Sequence, residues 1–139
     1  MKIYFACSIS GGRQDERIYQ KLVQVMLSMG IEVPTAHIAE TGIEEIDALE
    51  ELGDIYQRDV DWIDDSDLLV AEVSTPSHGV GFEIGYALDQ GMPVLCLYNK
   101  AVVVSKMITG NPNPLLKVAA YRDGQEAEDI LREYIQDKI

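Results

Sequence analysis

Short apolar runs alternate along this chain with longer stretches in which apolar residues recur every three or four positions. The runs predict five strands, which are Ile3 to Cys7, Ile31 to Val33, Leu68 to Val73, Pro93 to Tyr98 and Leu115 to Ala120. The stretches between and after them predict helices, which cover Ile18 to Met29, about Glu45 to Ser66 with an interruption near Gly53, Val80 to a stop at Gly91, and Ala127 to Ile135. Such alternation predicts a parallel sheet with helices on both faces.

The predicted architecture is therefore an α/β fold, a single-domain, Rossmann-like or flavodoxin-like three-layer sandwich with a five-stranded parallel sheet. The 139 residues and a hydrophobic fraction of 47% are enough for one domain, residues 1–139, with its own core. Ligands of such sheets bind at the carboxyl ends of the strands, where the winding reverses. We expect the loops Ser8 to Arg13 and Ser77 to Glu83 at that edge.

The stretch from Ser77 to Gly85 follows the third predicted strand and opens the next helix. Gly79 and Gly81 let the backbone approach a ligand closely, and the first N–H groups of a helix favour an anion such as phosphate. Glu83 would repel a phosphate, so we expect it to face a neutral or cationic part of the ligand. Glu83 is the candidate nucleophile.

The second helical region contains an unusual carboxylate. At 100° per residue, one face combines Asp59 with apolar residues, which are Leu52, Ile55, Tyr56, Val60 and Ile63. An unpaired buried carboxylate costs several kcal/mol, so such a residue is usually either functional or paired. The alternative to a functional role is an ion pair between Asp59 and Arg13, or a role of Asp59 as a cap on a nearby loop.

Two carboxylates that face one cleft suggest glycosidic chemistry, in which one attacks the anomeric carbon and the other transfers a proton. Glu83 would attack C1′ of a nucleotide sugar, and the base would leave with a proton supplied by or through Asp59. Water would then release the sugar. The phosphate would sit on backbone N–H groups near Gly79 and Gly81.

The net charge and the cysteine content limit the kinds of ligand and partner that we expect. A formal net charge of −13 argues against nucleic acid, which is bound by clustered Lys and Arg, but it allows a small phosphorylated ligand. Met1 to Phe5 leads directly into a strand and no long apolar run follows, so we expect a cytoplasmic protein without a membrane segment. Cys7 and Cys96 are predicted to be buried thiols, with a disulfide as the less favoured alternative, and the two cysteines and two histidines have no zinc-site spacing.

Three blocks of sequence carry a resemblance to a known family. They are Tyr4-Phe5-Ala6-Cys7-Ser8-Ile9-Ser10-Gly11-Gly12-Arg13, then Arg58-Asp59-Val60-Asp61-Trp62, then Ala71-Glu72-Val73-Ser74-Thr75-Pro76-Ser77-His78-Gly79-Val80-Gly81-Phe82-Glu83-Ile84-Gly85. In this order, over essentially the whole chain, they resemble the 2′-deoxynucleoside 5′-monophosphate N-glycosidases, relatives of the nucleoside 2-deoxyribosyltransferases. The resemblance implies hydrolysis of a deoxynucleotide to free base and 2-deoxyribose 5-phosphate by a symmetric dimer that uses no metal or cofactor.

The resemblance also implies a role for each matching residue. Glu83 is the nucleophile, Asp59 its acidic partner, and Tyr4 contacts the sugar and orients Glu83. Residues implied to contact the substrate are Ser8, Ile9, Gly11, Arg13, His37, Ser77, Gly79, Gly81, Ser105 and Met107. Among these, His37 matches a histidine near the base, and Ser105 matches a serine that reaches the phosphate across a dimer interface.

The chain departs from the family pattern at two places, since Ala6-Cys7 stands where Cys-Gly is common and His78 replaces an apolar residue. Each site residue also has a structural alternative: Glu83 can stabilise a helix dipole, Tyr4 can be core, and Ser77 can be only an N-cap. His37 and Arg13 can be ordinary surface residues. Glu72, at the end of a strand, is interpreted as structural.

Three rival functions stay open at this point. A deoxyribosyltransferase uses the same glutamate but tends to carry a carboxylate six residues before it, where this chain has Ser77. A ribonucleotide N-hydrolase of the cytidylate type and a non-catalytic nucleotide-binding module are the others. A composite site in a homodimer is also expected, because Val102, Val103, Val104 and Met107, beside Trp62, exceed the apolar surface that one small sheet buries.

Overall fold

The computed structural model describes residues 1–9, 15–40 and 51–139. Two of the predicted substrate-binding residues, Gly11 and Arg13, lie outside these ranges. So does the predicted start of the second helical region near Glu45.

Four parallel strands form the sheet in the described part of the chain, and they are β1 (Ile3–Ala6), β2 (Leu68–Glu72), β3 (Val94–Asn99) and β4 (Leu116–Tyr121). They lie side by side in the order β1-β2-β3-β4. The register places Phe5 beside Val70 and Val70 beside Leu95. Every residue of β1 and β2 is buried, as expected for central parallel strands covered on both faces.

The prediction of a fifth strand at Ile31 to Val33 is wrong. A single parallel bridge pairs Glu32 with Lys2 there. Pro34 has no N–H group with which to extend the ladder. The Thr35 hydroxyl substitutes for it, accepting a hydrogen bond from Phe5 N at 2.9 Å and donating one to Phe5 O at 2.7 Å. A side chain therefore completes the edge of β1 where a strand was expected.

The long helices match the apolar periodicity. They are α1 (Glu16–Ser28), α2 (Leu52–Asp64), α3 (His78–Asp89) and α5 (Gly124–Lys138), with a short α4 (Lys106–Thr109) and a 3₁₀ helix (Ala36–Ala39) in regions predicted as loop. Gly30 and Gly91 follow α1 and α3 with φ of 77° and 80°, the left-handed conformation that ends a helix. The predicted interruption near Gly53 corresponds to the start of α2, because Glu51 is extended and the helix begins at Leu52.

Helices cover both faces of the sheet. α1 and α5 pack on one face around Phe5 and Leu95, and α2 and α3 contribute to the core on the other face around Leu69. The two thiols are buried and free, as predicted. Cys7 belongs to the first core and Cys96 to the second, so they lie on opposite faces of the sheet. Burial raises the pKa of the Cys96 thiol to about 12.

The carboxyl ends of β1 and β2 are neighbours in this sheet, because the two strands pair in parallel. The turn after β2 leads directly into α3 at His78. Within the described ranges, no helix has the length and apolar character needed to cross a membrane. The described side chains also contain no group of three or more His, Cys, Asp or Glu that could hold a metal ion.

Candidate active site

A cavity of about 300 Å³ opens between α2 and α3 at the carboxyl edge of the sheet, and we call it the α2–α3 cavity. This volume is at the lower end of the range for small-molecule sites. Its lining residues come from the end of β1, from α2 and from the start of α3, and they are Cys7, Ile9, Leu52, Ile55, Tyr56, Asp59, Val60, Ile63, Ser77, Gly79, Val80, Phe82 and Glu83. Five of the predicted site residues, Ile9, Asp59, Ser77, Gly79 and Glu83, therefore share one cavity.

Tyr4 and Glu83 meet beside this cavity. The Tyr4 hydroxyl donates a hydrogen bond to Oε2 of Glu83. Tyr4 is fully buried in β1, so its ring is fixed by the core, while Glu83 projects from the second turn of α3. A hydroxyl held by the core thus orients a carboxylate at the cavity wall, the contact that the resemblance implies.

Glu83 occupies an environment that disfavours its charge. Burial raises the pKa of Glu83 to about 7, and repulsion from Asp59 adds to the rise, while the hydrogen bond from Tyr4 opposes it. Burial, followed by the charges of Glu83 and Asp59, also raises the pKa of the Tyr4 hydroxyl, which keeps it protonated as a donor. A carboxylate with a strongly raised pKa in a cavity is typical of a catalytic group.

Asp59 lies on the α2 wall of the cavity, partly buried. Its Oδ1 accepts a hydrogen bond from Nε of the adjacent Arg58 at 3.0 Å, and the Arg58 guanidinium stacks 4.8 Å from the centre of the Trp62 ring. The ion pair that the sequence offered as an alternative to a functional role involved Arg13, which lies outside the described residues. Asp59 is thus partnered and also faces Glu83 closely enough to influence its titration.

The apolar face of α2 that contains Asp59 has two parts. Ile63 is fully buried in the core, but Leu52 is 88% exposed and Tyr56 is 57% exposed. Tyr56 also contacts Phe82 of α3, with ring centres 6.1 Å apart. The first turns of this face therefore line the cavity instead of packing into the core. The apolar periodicity of α2 is therefore as typical of a helix that lines a cavity as of a helix that packs into the core.

Ser77, Gly79 and Gly81 have different roles at the start of α3. Oγ of Ser77 caps the helix by accepting a hydrogen bond from Val80 N at 3.3 Å, which is the predicted structural role. A Cβ atom added to Gly79 would lie 3.9 Å from that oxygen, in ordinary van der Waals contact. The N–H group of Gly81 donates to Ser77 O at 3.1 Å. Of the two glycines, Gly79 is the one placed to present backbone to the α2–α3 cavity.

A second cavity, of about 440 Å³, lies on the other side of the α3 N-terminus, and we call it the α3–α4 cavity. Its lining includes Ser77, Gly81, Ser105 and Met107. Ser105 caps α4 by accepting a hydrogen bond from Met107 N at 3.2 Å. Ser105 and Met107 are therefore placed in this chain around a different cavity from Glu83, with Ser77 shared between the two.

The remaining predicted residues lie in three places. Ser8 is fully buried directly after β1. His37 lies in the 3₁₀ helix, with the centre of its ring 5.6 Å from that of Trp62 in an edge-to-face arrangement. Gly11 and Arg13 lie outside the described residues. Sequence reasoning had not singled out Phe82, which is 51% exposed at the cavity mouth and stacks on Tyr86.

Two carboxylates, Asp59 and Glu83, line one cavity at the carboxyl edge of a parallel sheet, an arrangement suited to glycosidic chemistry. The family model described as nucleoside 2-deoxyribosyltransferase matches residues 3–129. The chain belongs to this family. The match spans β1 through the first turns of α5 and so includes every described candidate site residue.

Individual proteins are similar to this chain over nearly its whole length. The chain is 41% identical to the 5-hydroxymethyl-dUMP N-hydrolase of Danio rerio, over 98% of this chain and 96% of that protein. It is also 41% identical to the 5-hydroxymethyl-dUMP N-hydrolase of Esox lucius, over 98% of this chain and 97% of that protein. The solved structure of the Clostridium botulinum CMP N-glycosidase shares the fold with a TM-score of 0.74 at 20% identity, covering 96% of this chain and 99% of that one.

Proposed function

We propose that this protein hydrolyses the N-glycosidic bond of 2′-deoxynucleoside 5′-monophosphates, releasing the free base and 2-deoxyribose 5-phosphate. The observation that carries the proposal is the Tyr4-to-Glu83 hydrogen bond at the wall of a cavity that Asp59 also faces. The names of the relatives, N-hydrolases of a deoxynucleotide, support the same reaction. One domain over residues 1–139 acts without metal or cofactor in this account.

Glu83 is the proposed nucleophile. Its carboxylate attacks C1′ of the deoxyribose as the bond to the base breaks. Water then passes a proton to Asp59 and attacks the same carbon, which releases the sugar phosphate and restores the Glu83 carboxylate. Burial leaves the Glu83 carboxylate poorly solvated. Formation of the bond to C1′ neutralises this charge and is therefore favoured. The Tyr4 hydroxyl orients the Glu83 carboxylate through its hydrogen bond to Oε2.

Asp59 is the proposed proton-transfer group. It lies across the cavity from Glu83, so it can face the leaving base while Glu83 faces the sugar. The hydrogen bond from Arg58 Nε to Oδ1 holds the Asp59 carboxylate in position for the proton transfer. The apolar wall of Ile55, Val60 and Phe82 offers a surface against which a flat base can pack.

The 5′-phosphate is proposed to bind at the start of α3. Ser77 and Gly79 line the cavity there, and the helix N-terminus attracts an anion through its N–H groups and dipole. Ser8, Gly11 and Arg13 are proposed to complete the contacts to sugar and phosphate from the loop after β1. A hydroxyl at position 77 donates to a phosphate, which a carboxylate would repel.

A homodimer with a composite site is the proposed assembly. Val103 is 97% exposed and Met107 is 83% exposed beside the α3–α4 cavity, an apolar surface that a second copy of the chain would cover. In an isologous dimer, Ser105 of each chain reaches the phosphate held by the other. His37 is proposed to lie near the base.

Deoxyribosyl transfer is the second candidate, because the family description names transferases. One assay separates the two reactions. The protein is incubated with dGMP, 5-hydroxymethyl-dUMP, GMP, CMP and deoxyguanosine, each with and without a second free base, and released base and new nucleosides are separated by chromatography. Base release from the deoxynucleotides alone supports hydrolysis. A new nucleoside formed from deoxyguanosine and the second base would support transfer, and base release from GMP or CMP would support a ribonucleotide hydrolase.

A further inference from the structure

Glu72 is a fully buried carboxylate that the proposed chemistry does not use. It ends β2, and it accepts hydrogen bonds from Ser74 N at 2.6 Å, from Ser74 Oγ at 2.9 Å and from the Tyr121 hydroxyl. Burial raises the pKa of Glu72, while the bonds from Tyr121 and Ser74 oppose the rise. A buried acid costs stability unless such bonds compensate it, and an apolar residue would fill the position more cheaply.

The hydrogen bonds of Glu72 tie together the ends of three strands. Ser74 Oγ, which donates to Glu72, also accepts a hydrogen bond from Asn99 N at 2.8 Å. Asn99 is the last residue of β3, and Tyr121 is the last residue of β4. Ser74, in the turn after β2, is thus tied directly to the end of β3 and, through Glu72, to the end of β4.

The next residue of the turn is fixed from the other direction. Thr75 Oγ1 donates a hydrogen bond to Asp15 Oδ2 at 2.9 Å, and Asp15 immediately precedes α1. Ser77 follows two positions later, caps α3 and lines both cavities. The turn that precedes Ser77 is therefore held by side-chain hydrogen bonds at two consecutive positions, Ser74 and Thr75. We call these hydrogen bonds, together with those of Glu72, the clamp.

We infer that Glu72 is a positioning residue for the 5′-phosphate: through Ser74 it holds the turn that presents Ser77 and Gly79, and the substrate class it serves is the phosphorylated nucleoside. This inference rests on the proposed function and deepens it. The attacking carboxylate has a contact of its own, because the Tyr4 hydroxyl in β1 donates a hydrogen bond to Glu83. Loosening the clamp therefore weakens binding of the phosphate and spares the sugar and base contacts.

Tyr121→Phe tests this inference with the smallest change of shape, since it removes one hydrogen bond to Glu72 and keeps the ring. Binding is measured by calorimetry in a Glu83→Gln background, where the ligand is not consumed. We expect the Kd for dGMP to rise by about fivefold or more, the scale of a lost bond to a charged group. The Kd for deoxyguanosine changes by less than about twofold, because the clamp acts on the phosphate.

Tyr134→Phe is the matched control, because within the described part of the chain its buried hydroxyl has no hydrogen-bond partner. It should leave both affinities unchanged. Ser74→Ala, which removes the bonds of Oγ to Glu72 and Asn99, should reproduce the selective loss for dGMP even if its unfolding temperature falls.

Equal losses for nucleotide and nucleoside, unchanged dGMP affinity in both variants, or absence of dGMP binding to the Glu83→Gln parent would each overturn the inference. None of these readouts depends on turnover. Failure of the proposed hydrolysis is recognised separately, by the absence of base release from wild-type protein.

Discussion

The Tyr4 hydroxyl donates a hydrogen bond to the carboxylate of Glu83, a residue 79 positions further along the chain. The two side chains meet because β1 lies beside β2, and β2 leads through one turn into α3. Tyr4 has no exposed surface, so its hydroxyl is held by the core before any ligand binds. Such preorganisation keeps a nucleophile in its reactive orientation without cost at the moment of reaction.

The pH dependence of kcat/KM reports the ionisation of Glu83. Only the carboxylate attacks, and its pKa is raised to about 7, so kcat/KM for dGMP should rise with pH and level off above about 7. Tyr4→Phe removes a hydrogen bond that favours the charged form, so the midpoint of its profile should move to higher pH. Steady-state rates between about pH 5 and 9 provide both profiles. Identical midpoints in the two proteins would show that Tyr4 does not tune Glu83.

Asp59→Asn should lower kcat by about 10²-fold or more, because it removes the group that transfers a proton to the base. Asp61→Asn is the matched control on the same helix, since Asp61 is exposed and bonds Gln57 at 2.8 Å. Base release by the control should match that of wild type. If Asp59→Asn lowers the unfolding temperature but spares kcat, then Asp59 serves only the contact with Arg58.

Ser77→Asp should weaken dGMP binding by about a hundredfold, because the new carboxylate faces the phosphate dianion. Aspartate is also a good N-cap, so α3 keeps its capping bond. Deoxyguanosine binding should fall far less. Ser77→Asn caps equally well without charge, and its dGMP affinity should stay within about tenfold of wild type. Equal losses for nucleotide and nucleoside would place the phosphate elsewhere.

Mixing two inactive variants tests the composite dimer. One chain carries Glu83→Ala and the other Ser105→Asp, so in a mixed dimer one site holds both lesions and the other holds neither. Freely exchanging subunits should recover roughly one quarter of wild-type activity in such an isologous assembly. Each variant alone provides the baseline. A monomeric mass by light scattering, or no recovery despite demonstrated exchange, would contradict the composite site.

The sequence predicted most of the fold because its apolar periodicity is clear. β1, β2, β3 and β4 and the four long helices lie where the pattern placed them, and Gly30 and Gly91 end helices as expected. The failure at Ile31 to Val33 has a local cause. Thr35 supplies by its hydroxyl the edge contacts that a strand would have made, and no periodicity rule anticipates a side chain in the place of a backbone ladder.

The candidate site was predictable in its parts but not in its pairings. The turn at Ser77 to Gly79 and the carboxylate at Asp59 were visible from local pattern. Contacts between distant residues, such as Glu72 with Tyr121, depend on strand order, which the local pattern does not fix. The apolar face around Asp59 was ambiguous for the same reason, because exposure of Leu52 follows from where α3 lies and not from the sequence of α2.

Turnover of dGMP by wild type and by Glu83→Gln, measured side by side, tests whether the protein hydrolyses the N-glycosidic bond with Glu83 as nucleophile. Guanine and 2-deoxyribose 5-phosphate are quantified together, and dGMP affinity is measured for both proteins. Wild type should release both products in equal amounts, and Glu83→Gln should retain dGMP affinity within about tenfold while losing at least about 10³-fold in kcat. Absence of product from wild type that binds dGMP, or more than about a tenth of wild-type kcat in Glu83→Gln, would contradict the account.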